Sequence, residues 1–213
     1  MRLYYLLSTV LLFGLLACNP AEKRLPILGN REPITKTVDG KEVTDTLYQT
    51  IPDFLFWNQD SVAVTNKTFD NKIYVADFFF TTCPTICPKM KTQMLRVYQH
   101  FKGNPAVGLL SHTIDPKHDS VRVLKQFAKQ LGIEGTQWNF VWGDKEKIYE
   151  IGQKSYMVTA TNDASAPGGI VHSGAFILID KQRRIRGLYD GTEQESVDKL
   201  MKDIDILLSE YKK

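Results

Sequence analysis

Apolar positions in the middle of the chain alternate between short continuous runs and runs with helical spacing. The stretch "KIYVADFFF" (residues 72–80) is apolar except for Lys72 and one aspartate, a pattern typical of a strand buried on both faces. Met90, Met94 and Val97 then recur at the spacing of one face of a helix. The strings "AVGLLS", "NFVW", "SGAFILID" and "RIRGLYDG" predict further strands, with helical patterns after the first two and at the end of the chain.

The order of these elements predicts a fold class. Upstream, "FLFW" and "SVAVTN" flank the turn residues "NQD", which predicts a β-hairpin. Strands then alternate with helices, and a second hairpin and a last helix follow. We therefore expect an α/β protein, a three-layer sandwich around a mixed central sheet.

The N-terminus differs from the rest of the chain in composition. After Arg2 an apolar stretch runs from Leu3 to Ala17; at about 15 residues it is short for a membrane-spanning helix, which needs roughly 20, and is typical of a signal peptide. It ends in Leu-Leu-Ala followed by Cys18, which resembles the bacterial lipobox and implies a lipid on that cysteine. The expected organisation is a signal peptide at 1–17, an extended tether at 18–46 and one domain at 47–213, anchored by lipid on the extracytoplasmic, periplasmic side of a membrane.

Composition limits the classes of function. The chain has 213 residues, 43% of them hydrophobic, and this length and hydrophobic content suit one domain. Its formal net charge is +3. Lysines and arginines are scattered among acids, so nucleic acid is not an expected partner. With Cys18 assigned to lipid, Cys83 and Cys87 remain, and a disulfide between them would close a loop too small to stabilise the fold much. The pair is therefore a candidate redox couple or metal site.

The sequence around the pair favours thiolate chemistry. It lies between a predicted strand and a predicted helix, where ligands collect in α/β sheets. Pro84 and Pro88 suit a first helical turn, and we expect regular helix to begin near Pro88. Both sulfurs would then face the positive end of the helix dipole, which lowers the pKa of a thiol.

Three motifs together resemble the SCO/SenC family of thioredoxin-like, copper-handling proteins. They are "CPTICP" at the pair, "TIDP" after the next strand and the histidine of "VHSGAFILID", in a likeness that runs from residue 51 to 208. The resemblance implies a thioredoxin fold with an inserted hairpin, and copper ligation by Cys83, Cys87 and His172. It also implies a client, the copper centre of a respiratory oxidase subunit. Two thiolates and an imidazole form a soft ligand set, which suits Cu(I).

Other polar residues carry alternatives. Asp115 precedes a proline and either shapes a turn or, as the resemblance implies, also lies near copper. For His112 the structural interpretation is preferred, and His100 and His118 are expected to be solvated. Met90 and Met94 are expected to pack in the core.

Asp77 does not fit the apolar pattern of its strand, because burying a carboxylate costs several kcal/mol of folding free energy unless the group is paired or neutral. It resembles the aspartate beneath the redox pair of thioredoxin, which assists proton transfer. However, three residues rather than two separate the cysteines, and Pro167 is too far from His172 to be thioredoxin's late proline. The sequence thus favours a copper metallochaperone that changes no covalent bond in a substrate. A thiol-disulfide reductase using Cys83, Cys87 and Asp77 is the alternative, and a redox or copper sensor is a weaker one; the resting redox state and the oligomeric state stay open.

Overall fold

The computed structural model describes residues 24–162 and 170–212, and for residues 160–162 and 170–172 it describes the backbone alone. The predictions for Cys18, Pro167 and the His172 side chain therefore lie outside the described residues. The strands of the described part are β1 (Arg31–Val38), β2 (Lys41–Tyr48), β3 (Leu55–Asn58), β4 (Ala63–Thr65), β5 (Ile73–Phe79), β6 (Val107–Thr113), β7 (Trp138–Trp142), β8 (Ala160–Asn162), β9 (Ile170–His172), β10 (Ala175–Ile179) and β11 (Ile185–Asp190). The helices are α1 (Cys87–His100), α2 (Val121–Gln130), α3 (Lys145–Lys154) and α4 (Gln194–Glu210).

Seven strands form one mixed sheet in the order β11-β10-β5-β6-β7-β3-β4. Its centre is the parallel trio β5, β6 and β7, with Asp77 opposite Ser111 in the register of β5 and β6. Every residue of β5 and β6 is buried, since both faces of these strands are covered. The expected mixed α/β sheet and the hairpin of β3 and β4 are confirmed.

The helices complete the outer layers of a three-layer sandwich. α1 and α2 cover one face of the sheet, where Met90, Met94 and Phe127 meet Phe79. α4 lies beside α1, joined to it by an Arg96–Asp198 ion pair of 2.5 Å. α3 covers the other face, where Gly152 lets the helix approach the ring of Phe78, since a Cβ there would stand 3.1 Å from it.

Residues 31–48 form an antiparallel hairpin, β1 with β2, in the segment that the sequence analysis assigned to an extended tether. The prediction of an extended tether over residues 18–46 did not include this hairpin, for a physical reason. Both strands are exposed on nearly all positions, so the alternation of polar and apolar residues that marks a half-buried strand is missing. The available signal was Asp39-Gly40, whose φ angles of 51° and 74° are those of a two-residue hairpin turn.

None of the helices in the described ranges combines the length and the apolar character that crossing a membrane requires.

Candidate functional site

The turn that carries the two cysteines connects the end of β5 to the start of α1. The amide of Cys83 donates to the carbonyl of Phe80 (3.3 Å), and α1 begins at Cys87, with Pro88 in its first turn. Proline is tolerated there because the first amides of a helix have no intrahelical acceptor. The helix start agrees with the prediction near Pro88.

No disulfide joins Cys83 and Cys87 in the structure, and each is about nine-tenths buried. Burial raises the pKa of Cys83, but hydrogen bonds from the Cys87 thiol, from the amides of Thr85 and Cys87 and from the Thr85 hydroxyl outweigh it, so the net pKa is lowered. The pKa of Cys87 is strongly raised, by burial first and then by its hydrogen bond to the Cys83 sulfur. The expectation of two lowered thiol pKa values is therefore wrong for Cys87. Hydrogen bonds to its sulfur do not offset its burial.

Asp77 lies beneath the pair, buried in β5. The Ser111 hydroxyl donates to its carboxylate, and Trp138 Nε1 donates to the Ser111 oxygen (2.9 Å). Burial raises the pKa of Asp77 to about 7, although the hydrogen bond from Ser111 acts in the opposite direction. A carboxyl group with such a pKa can accept or release a proton near neutral pH.

A small cavity of about 40 Å³ joins Asp77 to the two sulfurs. Its lining includes the polar or ionisable residues Asp77, Thr81, Cys83, Cys87, Lys91 and Ser111, and the rest is mainly aromatic and methionine side chains. A cavity of this size holds about one water molecule, which needs polar partners. The cavity thus offers a short path for a proton between Asp77 and the thiols.

Asp119, which the sequence analysis did not single out, fixes the turn before the cysteines. It is 1% exposed and accepts from the Thr81 amide (3.0 Å), the Thr81 hydroxyl and the Thr113 hydroxyl (2.6 Å). These bonds connect the turn after β5 to the loop after β6. The only sequence signal was a second acid in "TIDPKHD", four residues after Asp115.

Asp115 shapes that loop. Its carbonyl accepts from the amides of His118 (3.1 Å) and Asp119 (2.9 Å), and its carboxylate pairs with His118 Nδ1 at 2.6 Å. His118, expected to be solvated, is mostly exposed but has this partner. Asp115 lies at the same end of the sheet as the sulfurs but does not line the cavity between them and Asp77.

The remaining histidines and methionines occupy the places expected of structural residues. His112 is fully buried and stacks on Phe78 with ring centroids 4.6 Å apart. Burial lowers its pKa to about 3, so the ring is neutral. Met90 and Met94 are buried in α1, and His100 is exposed in its last turn.

The backbone brings the segment of His172 to the pair. β9 ends at His172, opposite Ala160 of β8, and the chain then continues into β10. Two residues later, a Cβ on Gly174 would lie 3.7 Å from the Cδ1 atom of Ile86, the residue that precedes Cys87. Ile86, Ser173 and Gly174 also line one open cleft of about 490 Å³. Among the described side chains, no cluster of three potential ligands from His, Cys, Asp and Glu is found.

The chain is similar to proteins of one family. A family model for SCO1/SenC matches residues 43–209. A SCO1 protein homolog of Bacillus subtilis is 28% identical over 167 residues, which cover 78% of this chain and 86% of that protein. The structure of a SCO1/SenC family lipoprotein from Bacillus anthracis has a TM-score of 0.68 at 27% identity, over 76% of this chain and 96% of that one.

Two further structures extend the likeness. BsSco, a member of the Sco family of cytochrome c oxidase assembly proteins in which a disulfide switch was identified, has a TM-score of 0.66 at 28% identity, over 76% of this chain and 94% of that one. Arabidopsis thaliana ScoI with copper bound has a TM-score of 0.62 at 22% identity, over 75% of this chain and 98% of that one. At this identity the likeness shows the fold alone. The expected thioredoxin-like fold is confirmed. Because the family model covers most of the chain, including the cysteine pair and the strands that position it, the chain belongs to the SCO1/SenC family.

Proposed function

We propose that this protein is a lipid-anchored, extracytoplasmic copper carrier that delivers copper to an oxidase subunit during cytochrome c oxidase assembly. Cys83 and Cys87 bind copper as thiolates, and His172 completes the ligand set. Membership of the family and the copper bound in a more distant Sco structure support copper as the cargo. The relation to a SCO1/SenC lipoprotein supports an anchor at Cys18, ahead of a tether and the domain.

The observation that carries the proposal is the convergence of two sequence-distant segments. The pair lies in the turn before α1 and at its first residue, and the segment that follows His172 lines one cleft with Ile86, the residue before that helix. Two sulfurs and one imidazole make a soft, three-ligand site that favours Cu(I), and three ligands rather than four suit a site that must release its cargo. Transfer then occurs by ligand exchange with a client site that binds copper more tightly.

The pKa asymmetry gives the order of copper capture. Cys83, with its lowered pKa, is the first thiolate to bind. The Cys87 thiol must lose a proton before it can bind, and the positive charge of copper favours that loss. Asp77 is the nearby acceptor, across the cavity that both residues line.

One observation favours a second function, thiol-disulfide reduction of the client. A reactive Cys83, a protonated Cys87 and a carboxyl group with a pKa of about 7 are the parts that such a reaction needs. The Cys83 thiolate would attack a client disulfide, and Cys87 would resolve the mixed disulfide after giving its proton to Asp77. The client would gain two electrons and two protons, and the pair would become a disulfide that a dithiol donor must reduce.

Copper titration of a His172→Ala variant tests the carrier. We expect Cu(I) affinity to fall by at least about tenfold and the sulfur-to-Cu(II) charge-transfer absorption to change, because one ligand is lost. The count of titratable thiols should stay at that of the unaltered chain. His100→Ala is the matched control, since that ring is exposed on α1 away from the pair. Unaltered copper affinity and spectra in His172→Ala would remove this carrier mechanism and leave the reductase.

A further inference from the structure

The two ends of the central sheet differ in net charge. β5 runs from Ile73 to Phe79 towards the cysteines, and β10 is antiparallel to it, with Ile179 opposite Tyr74. The turn after β10 therefore lies at the start of β5. We call this end of the molecule the basic pole, and its basic residues include Arg24, Lys67, Lys72, Lys181, Arg183 and Arg184.

The acids of the basic pole are largely used in ion pairs. Asp53 pairs with Arg183 at 2.6 Å, and Asp180 pairs with Arg184 at 2.8 Å. Asp180 also binds the buried Arg186. Within the described ranges no ion pair involves Lys67, Lys72 or Lys181, and Asp70, which lines the same cleft as Lys67 and Lys181, is outside the pairs named here.

The end that carries the cysteines has no excess of either charge. Its exposed or half-buried acids lie in the loop after β6 and at the starts of α3 and α4: Asp115, Asp144, Glu146, Asp190, Glu193 and Glu195. The same loop and the starts of α1, α2 and α3 carry as many basic residues: Lys89, Lys91, Lys117, Arg122, Lys145 and Lys147. The excess of positive charge thus lies at the basic pole.

The N-terminal segment is fixed to the basic pole. Buried Arg186 donates to the carbonyls of Leu25 (2.6 Å) and Pro26 (3.0 Å), and its charge is balanced by Glu210 at 2.8 Å. The Leu25 amide donates to Glu210 as well (2.8 Å). The chain therefore enters the domain at the pole that carries the unpaired lysines.

We propose that the basic pole rests on an anionic phospholipid bilayer, with Lys67, Lys72 and Lys181 near the lipid phosphates and the cysteine pair directed away from the membrane. This inference rests on the lipid anchor at Cys18 proposed above. Five residues lie between Cys18 and Arg24, so the two are at most about 20 Å apart and the anchor holds the basic pole near the surface. Each lysine near an anionic surface adds roughly a fivefold factor to partitioning, whereas the balanced charge of the cysteine end adds no such attraction.

The geometry sets where the client meets the site. The strand β5 rises roughly 3.3 Å per residue, so the end that carries the cysteines stands about 20 Å further from the bilayer than Lys72. The client must then present its copper site at that height above the membrane rather than at the lipid surface.

Amine footprinting of the full-length, lipidated chain on vesicles tests the orientation. The vesicles contain phosphatidylcholine alone or with roughly one-third phosphatidylglycerol. We expect a membrane-impermeant amine reagent to modify Lys67, Lys72 and Lys181 about fivefold more slowly on the anionic vesicles, and high salt to reverse this protection. Lys89, Lys117 and Lys145 should be modified at equal rates on both; Lys145 is a close match for Lys181, since each lies 5.2 Å from a tyrosine ring centroid.

A pair of triple variants completes the test. In the Lys67→Gln, Lys72→Gln, Lys181→Gln chain we expect the remaining amines of the basic pole, such as Lys102 and Lys212, to lose their protection. The Lys89→Gln, Lys117→Gln, Lys145→Gln chain should behave as the unaltered one. If Lys67, Lys72 and Lys181 of the unaltered chain were modified at the same rate on anionic vesicles as on phosphatidylcholine vesicles, the orientation would be overturned.

Vesicle flotation separates failure of the anchor from failure of the orientation. A chain that does not float with phosphatidylcholine vesicles lacks the proposed lipid. In that case flotation with anionic vesicles that is lost in the first triple variant alone still supports the basic pole as the membrane contact. No flotation, or equal flotation of both triple variants, would overturn it.

Discussion

Asp77 shows how one buried residue can link the fold to proton chemistry. Its carboxyl group is held in a strand buried on both faces, and the Ser111 hydroxyl donates a hydrogen bond to it. The neutral form is therefore favoured, and the pKa rises from 3.8 to about 7. The sequence alone indicated a misplaced charge, but the size of the shift depends on how completely neighbouring strands exclude water.

This shift predicts a pH dependence of stability. The folded protein binds the Asp77 proton more tightly than the unfolded chain, so the contribution of Asp77 is fully present below pH 4 and is lost as pH rises through about 7. Between pH 5 and pH 8, the unaltered chain should lose about 2 kcal/mol of unfolding free energy relative to Asp77→Asn. Urea denaturation at both pH values, with the thiols kept reduced, measures the difference.

The control for this comparison is Asp70→Asn, which changes an exposed carboxyl group near the start of the same strand. Its stability difference from the unaltered chain should be equal at the two pH values. A constant difference for Asp77→Asn would contradict the assignment of the raised pKa to this residue.

At the scale of elements, the site depends on the contact between two loops at one end of the sheet. The turn after β5 holds the cysteines, the loop after β6 holds Asp119, and the two are joined by the hydrogen bonds of Asp119 to Thr81 and Thr113. The succession of each strand and the next helix was predictable from periodicity. The hydrogen bond between the two loops was not, because it joins Thr81 to Asp119, 38 positions apart.

We predict that Asp119→Asn destabilises the protein by about 2 kcal/mol, since an amide cannot accept all the hydrogen bonds of the buried carboxylate. Copper affinity should fall about tenfold, as expected when a group that orients ligands is changed. Asp144→Asn is the matched control, an exposed acid that caps α3 at the same end of the sheet through the Lys147 amide (3.0 Å). It should cost up to about 1 kcal/mol and leave copper affinity unaltered.

At the scale of the whole molecule, the N-terminal segment is part of the domain as well as its connection to the membrane. Arg186 is buried with Asp180, Glu210 and two backbone carbonyls of that segment as partners. Leu28 extends the contact by donating to the carbonyl of Ile185 on the edge strand β11 (2.8 Å). A boundary between tether and domain at residue 46 therefore does not describe where packing begins.

A chain that begins at Asn30 tests this coupling. It lacks the Leu25 and Pro26 carbonyls, so Arg186 loses two acceptors while it stays largely buried, and unfolding free energy should fall by about 3 kcal/mol. Arg186→Met should cost much less in the shortened chain than in the full one, because the partners are already missing. Equal costs in the two chains, measured by urea denaturation, would show that the segment and Arg186 are not coupled.

The sequence by itself determined the buried central strands, the helix that begins at the cysteine pair, the discordant Asp77 and the family, because these depend on periodicity, turn chemistry and motifs that neighbouring residues carry together. The tertiary structure decided which residues surround the pair and the opposite pKa shifts of Cys83 and Cys87. It also decided the hydrogen bonds by which Asp119 joins two loops, and the packing of residues 24–28 on the domain. Those properties depend on burial and on distances between segments far apart in the chain. The exposed hairpin of residues 31–48 also needed the structure, since a strand with two solvated faces leaves no hydrophobic pattern to read.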